Sequence, residues 1–137
     1  MSNRILGLLA GAVLVLTSSA WAQGTTGKEP VADGRTLSQW VADLKAIAPQ
    51  TRNAAAYEIS GMGPAAAPAV PALIEALDDP EASVRFPVLV ALGEIGPAAK
   101  AAVPKLKKMM DEDINDEIAA AAKRALRRIE PDAATSE

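Results

Sequence analysis

The sequence predicts an all-α fold, a short α-solenoid of about three helical hairpins with six helices in all. Three observations predict it. The run Gly63-Pro64-Ala65-Ala66-Ala67-Pro68-Ala69-Val70-Pro71-Ala72-Leu73 returns 33 positions later as Gly96-Pro97-Ala98-Ala99-Lys100-Ala101-Ala102-Val103-Pro104-Lys105-Leu106, with eight of eleven positions identical. Half of the 137 residues are hydrophobic but aromatics make up only 3%, so Ala and Leu carry the apolar character and favour closely packed helices over a sheet. Glycine and proline punctuate the chain at the repeat interval, where helices stop and start.

The first 22 residues have the pattern of a secretory signal. Arg4 is followed by an apolar run from Ile5 to Leu16, then polar Thr17-Ser18-Ser19 and the cleavage pattern Ala20-Trp21-Ala22. Cleavage is expected after Ala22, which makes the mature chain periplasmic or secreted. The apolar run is shorter than the roughly 20 residues a spanning helix needs, so no stable membrane span is expected after cleavage. With no Cys in the chain, lipid attachment after the signal is excluded. Residues 23–35, rich in Gly, Thr, Lys and Glu, are expected to form a flexible leader. The repeat domain is expected over 36–131, followed by a disordered tail over 132–137.

Within that domain, Thr36-Leu37-Ser38-Gln39 is a capping box opening a first helix that carries Leu37, Trp40, Val41 and Leu44 inward. Its partner runs from about Thr51 to Ser60 and stops at Gly61-Met62-Gly63-Pro64. The second hairpin spans about 69–77 and 81–95, with Asp79 as the expected N-cap and Pro80 at the first helical position. The third covers about 102–110 and 116–129. Each later second helix carries one apolar stripe: Val84, Val88, Ala91, Leu92 and Ile95, then Ile118, Ala122, Ala125, Leu126 and Ile129. No hairpin can bury its stripe alone, and stacking neighbours does so. The third copy matches the second at an offset of 34, the extra residue falling in the acidic turn.

These residues carry a family resemblance. The Gly-Pro, Ala-Val-Pro and Asp-Asp punctuation, followed by Val84-Arg85, closely resembles HEAT-like repeats of the phycobilisome-lyase type, over about Thr36 to Pro131. The likeness implies a HEAT-like α-solenoid in a small exported bacterial protein, and it says little about activity, because the scaffold serves many tasks. It also implies a structural ladder, in which a turn Asp and the Arg six positions later link neighbouring repeats. Asp79 and Arg85 fit that spacing, Arg52 takes the same place in the first copy, and Ala119 breaks the pattern in the third.

Composition excludes whole classes of chemistry. The absence of Cys and His removes disulfides, thiol nucleophiles, the usual zinc sites and histidine triads. A net charge of −3, from 14 Lys plus Arg against 17 Asp plus Glu, disfavours nucleic acid as a partner. The acidic run Asp111-Glu112-Asp113-Ile114-Asn115-Asp116-Glu117 fails as a calcium loop, because Asp116 occupies the required glycine position and Ala122 that of the bidentate Glu. Its acids suit helix capping. No catalytic residue, cofactor or metal ligand is expected.

What remains is surface. Second helices line the concave side of such a stack, and equivalent positions across the three copies give Tyr57, Val90 and Arg124; Asn53, Phe86 and Ala120; Ser60, Gly93 and Arg127. Phe86 with Leu89 and Val90 offers apolar bulk, and Lys123, Arg124, Arg127 and Arg128 make the far end basic. The reading is a non-catalytic protein–protein interaction scaffold or adaptor, not an enzyme, whose partner is a protein or peptide held at Tyr57, Phe86, Val90, Arg124 and Arg127. The alternative is an accessory or lyase/isomerase-like subunit of a HEAT-repeat enzyme system.

Overall fold

The computed structural model describes residues 28–132. The expected signal over 1–22, the first part of the leader and nearly all of the expected tail lie outside the described residues. Within them the chain is helical apart from a small entry hairpin, in which β1 (Val31–Ala32) pairs antiparallel with β2 (Arg35–Thr36). The turn between them is Asp33-Gly34, with φ of 46° and 72°, the left-handed pair that Asp-Gly adopts in tight hairpins.

This hairpin corrects the expectation that ordered structure begins at Thr36. Strands of two residues leave no apolar period to read, yet several bonds hold them to the first helix. The Leu37 N–H donates to the Pro30 carbonyl at 2.9 Å, and Trp40 Nε1 donates to the Ala32 carbonyl at 3.0 Å. The Glu29 carboxylate accepts from the Ser38 backbone N–H. Arg35 lies 4.1 Å over the Trp40 ring and donates to Asp43 at 2.6 Å, so a cation stacked on indole closes the end of the array.

Six α-helices follow: α1 (Leu37–Asp43), α2 (Pro49–Gly61), α3 (Val70–Ala76), α4 (Ala82–Ile95), α5 (Val103–Glu112) and α6 (Asp116–Ile129). The Thr36 capping box is complete, with both the Thr36 and Gln39 side chains engaged. Asn115 caps α6 by accepting from the N–H groups of Glu117 and Ile118. The Gly-Pro-Ala runs form 3-10 segments, Gly63–Ala69 and Gly96–Ala102, each opened by a glycine in the left-handed region, at φ 58° and 76°. In a helix of three residues per turn, positions three apart share a face. That places Ala66 with Ala69, and Ala99 with Ala102, all buried in the core.

The helices stack in two layers, α1, α3 and α5 in one and α2, α4 and α6 in the other, with α4 packed between α2 and α6. The expected stripes lie inside: Val84, Val88, Ala91 and Leu92 are fully buried, as are Ile118 and Ala122, while Leu126 is half-buried on the last helix. No buried polar or charged residue interrupts the core among the described residues. The stretch Ala82–Glu112 is apolar and long enough to pass a length test for a membrane span, but 56% of its most apolar window is buried inside the fold. The left-handed Gly96 and the 3-10 segment after it also divide that stretch into α4 and α5.

Two local expectations need correction. Glu81, not Asp79, is the N-cap of α4, and Pro80 precedes the helix. The Asp79 carboxylate instead accepts from the Glu81 N–H at 3.0 Å, forming an Asx turn one step earlier. Asp79 is thereby turned toward the preceding repeat.

Candidate partner-binding face

Arginine and aspartate order the turns that carry this face. Arg52 grips Asp79 through Nε at 2.6 Å and Nη2 at 3.0 Å, while its Nη1 donates to the carbonyls of Ala46 and Ile47, each at 2.9 Å. One repeat later Arg85 does the same to its own turn, with Nη1 donating to the carbonyls of Asp79 at 2.8 Å and Pro80 at 3.1 Å. Its charge points forward to Asp113, with Nε 3.8 Å from Oδ2. Each arginine therefore holds its own turn by the backbone and the next turn by a carboxylate. The ladder across neighbouring repeats that the resemblance implies thus has Arg52–Asp79 and Arg85–Asp113 as its rungs, with Asp79 and Arg85 on successive rungs.

The second rung is looser. Arg85 Nε is buried without a hydrogen-bond partner, and the separation from arginine to aspartate is one residue longer than in the first rung. Ala119 stands where a third arginine would, so the rungs end there. Burial pushes the Asp79 carboxyl up, but the Arg52 hydrogen bond, the Glu81 N–H and the charges of Arg52 and Arg85 outweigh it and hold it below the ordinary carboxylate value. The hydrogen bond from Arg52 to Asp79 correspondingly raises the arginine.

With the turns fixed, the exposed face of α2, α4 and α6 has a definite register. Tyr57 is 50% exposed, Phe86 and Val90 are half-buried, and Ala120 and Arg124 are exposed. Tyr57, Val90 and Arg124 occupy equivalent repeat positions on the three helices, as do Asn53, Phe86 and Ala120. Phe86 packs its inner edge against the core.

Asn53 has a structural task. Pro87 lies inside α4 and has no N–H to offer the Ser83 carbonyl four residues back. Asn53 Nδ2 donates to that carbonyl from α2 at 2.5 Å. A side chain of one repeat thus repairs the helix of the next.

Three residues assigned to the groove from the sequence do not belong there. Leu89 is buried, at 1% exposure. Gly93 is buried where α4 meets α6: a β-carbon built on it would stand 3.4 Å from Ala125 Cα and 3.5 Å from Arg128 Cδ. Positions 89 and 93 face the next repeat, so their counterparts Lys123 and Arg127 occupy the free end of the stack. Both are exposed there, in places that the preceding repeat fills with buried Leu89 and Gly93. A charged side chain at such a position suits the exposed face of α6, the last described helix. Arg128 bridges back to Glu94 at 2.8 Å, which leaves Arg124 as the cation in register with Tyr57 and Val90.

Sequence reasoning passed over Ile47 and Ile114, which are 99% and 100% exposed. The signal was available, because Ile47, Pro80 and Ile114 share one position of the repeat, immediately before the N-caps Ala48, Glu81 and Asn115. Among the described residues no group of His, Cys, Asp and Glu is arranged to hold a metal ion.

No curated protein and no solved structure matches the chain. A family model for HEAT repeats matches residues 38–127. That match runs from the first turn of α1 into the last turn of α6, over the paired helices and the arginine rungs, and the chain belongs to the HEAT-repeat family.

Proposed function

We propose that this chain is a non-catalytic adaptor of the cell envelope, holding a peptide or protein surface on the exposed face of α2, α4 and α6. HEAT repeats as a family mediate protein–protein interaction, and the finer reading rests on one observation. Tyr57, Val90 with Phe86, and Arg124 stand in register on three successive helices, so the face grades from aromatic through apolar to cationic. Aromatic and arginine side chains on a rigid support are the usual anchors of protein interfaces. The complementary partner carries apolar side chains beside a carboxylate.

The envelope setting rests on the signal pattern over residues 1–22. Intact-mass measurement of the exported protein tests it: a mass beginning at Gln23 supports the reading, and a mass retaining Met1 to Ala22 refutes cleavage. For the binding face, a photo-crosslinking side chain at position 57 in the native envelope is expected to capture one dominant partner, identified by mass spectrometry. Arg124→Glu is expected to abolish that adduct. Since Arg124 is exposed, the variant keeps its helical spectrum, and an adduct of unchanged yield would refute the proposed face.

A further inference from the structure

The turn edge of the stack carries a second surface, of opposite charge to the first. Ile47 and Ile114 expose their entire side chains, and Pro80, also exposed, stands at the same repeat position between them. Turns ordinarily carry polar residues, and isoleucine in water on a tight turn gives the fold nothing. These turns are nevertheless held in place. Arg52 ties the Ile47 carbonyl to Asp79 of the next turn, and Arg85 ties the Pro80 carbonyl toward Asp113 of the turn after that. The rungs therefore hold the three tips side by side in a row. Stacked helices lie about 8–10 Å apart, so Ile47 and Ile114 bracket about 20 Å, the reach of roughly six extended residues.

The setting of the row chooses its partner. Glu81, Asp111, Asp116 and Glu117 are exposed around the second and third turns, and none of them forms an ion pair among the described residues. Of the lysines on α5, Lys105 pairs with Asp78 at 2.5 Å and Lys108 with Glu112 at 3.9 Å, and Lys107 is exposed without an ion pair among the described residues. Carboxylates without an ion-pair partner beside the second and third tips, of which Glu81 also feels the Arg52 charge, repel anionic lipid and acidic peptides, and the edge fits an apolar segment that carries cations. We infer that the edge formed by Ile47, Pro80 and Ile114 is a docking ridge for an extended cationic polypeptide segment whose apolar side chains cover the two isoleucines. This surface is separate from the face of α2, α4 and α6, and it selects the opposite charge.

The test titrates the full chain against a fluorescein-labelled decapeptide alternating Lys and Val, followed by anisotropy at low and high salt. Saturable, salt-weakened binding is expected, and the analogue with Glu in place of Lys is expected not to bind. Ile47→Ser with Ile114→Ser removes only exposed atoms and should weaken binding by about tenfold or more, with an unchanged melting curve. Arg124→Glu should leave this binding intact, which separates failure here from failure of the face proposed above. Equal binding by the double serine variant, equal binding of the Glu analogue, or partition onto phosphatidylcholine vesicles in place of peptide binding would overturn the inference.

Discussion

Arg52 and Asp79 meet across 27 residues of sequence in a two-pronged fork, Nε to Oδ2 at 2.6 Å and Nη2 to Oδ1 at 3.0 Å, that ties the first turn of the array to the second. The Asp79 side chain is 7% exposed and that of Arg52 14%, so water cannot replace either partner fully. Asp79→Asn is expected to lower the melting temperature by roughly 5–10 °C, the scale of one charge-assisted hydrogen bond in a domain of this size. Asp78→Asn, whose side chain is mostly in water beside Lys105, is expected to change it by roughly 1 °C or less. Equal losses in the two variants would mean that the fork contributes no more than a surface pair.

The same fork sets an acid response. The folded Asp79 carboxyl lies below its ordinary value, so its contribution is complete above the unfolded value of about 4 and is lost as pH falls through the folded one. Between pH 5 and 2 the wild-type melting temperature should fall more steeply than that of Asp79→Asn, and the difference between the two should shrink toward the acid end. Thermal melts across that range check the sign. The raised arginine acts in the opposite sense: its contribution is complete below the ordinary arginine value and fades only above it, beyond working pH.

In the middle of the core, Leu92 on α4 is fully buried between the helices of the neighbouring repeats. Leu92→Ala is expected to cost about 2–5 kcal/mol, as a large-to-small change where the surroundings cannot collapse. Urea unfolding measures it. A loss below about 0.5 kcal/mol, the scale of a surface substitution, would mean that the stripe is not the core.

Gly93 offers a test of sign. Its nearest neighbours would stand 3.4 Å or more from an added β-carbon, which is ordinary contact, so Gly93→Ala is expected to stabilise by about 0.4–1 kcal/mol through the unfolded chain and helix propensity. Gly93→Val adds two methyl groups against Ala125 and should destabilise by about 1–3 kcal/mol. Both variants losing stability equally would mean that α4 and α6 stand closer than described.

Much of the fold was legible because a solenoid repeats its signals. The 33-residue echo and the capping box at Thr36 locate the hairpins, and the stripes of α4 and α6 announce their own burial. Glycine and proline in the Gly-Pro-Ala runs mark where helices stop and start, but the 3-10 geometry there was not legible, since the many alanines hide which face is inside. The entry hairpin was missed although Asp33-Gly34 is a hairpin signal, because two-residue strands give no alternation. The candidate face was read less well for a physical reason. Whether Leu89 or Gly93 faces solvent depends on the helix of the next repeat, and among the described residues α6, where Lys123 and Arg127 are exposed, has no such neighbour. A row of equivalent positions can thus be surface at one end and core in the middle. Ile47 and Ile114 escaped notice because a lone isoleucine in a turn resembles core until its repeat position is compared.

The chain contains no cysteine, which permits a direct measurement of the stacking itself. A β-carbon on Gly93 lies 3.7 Å from that of Ala125, close to the roughly 3.8 Å separation a disulfide requires. Gly93→Cys with Ala125→Cys is therefore expected to oxidise rapidly to an intramolecular bond, read as the loss of two hydrogens in the intact mass of a monomer, with a raised melting temperature. Tyr57→Cys with Arg124→Cys, on helices separated by α4, should stay reduced under the same conditions. Failure of the first pair to close, or closure of the second, would contradict an array in which α4 packs between α2 and α6.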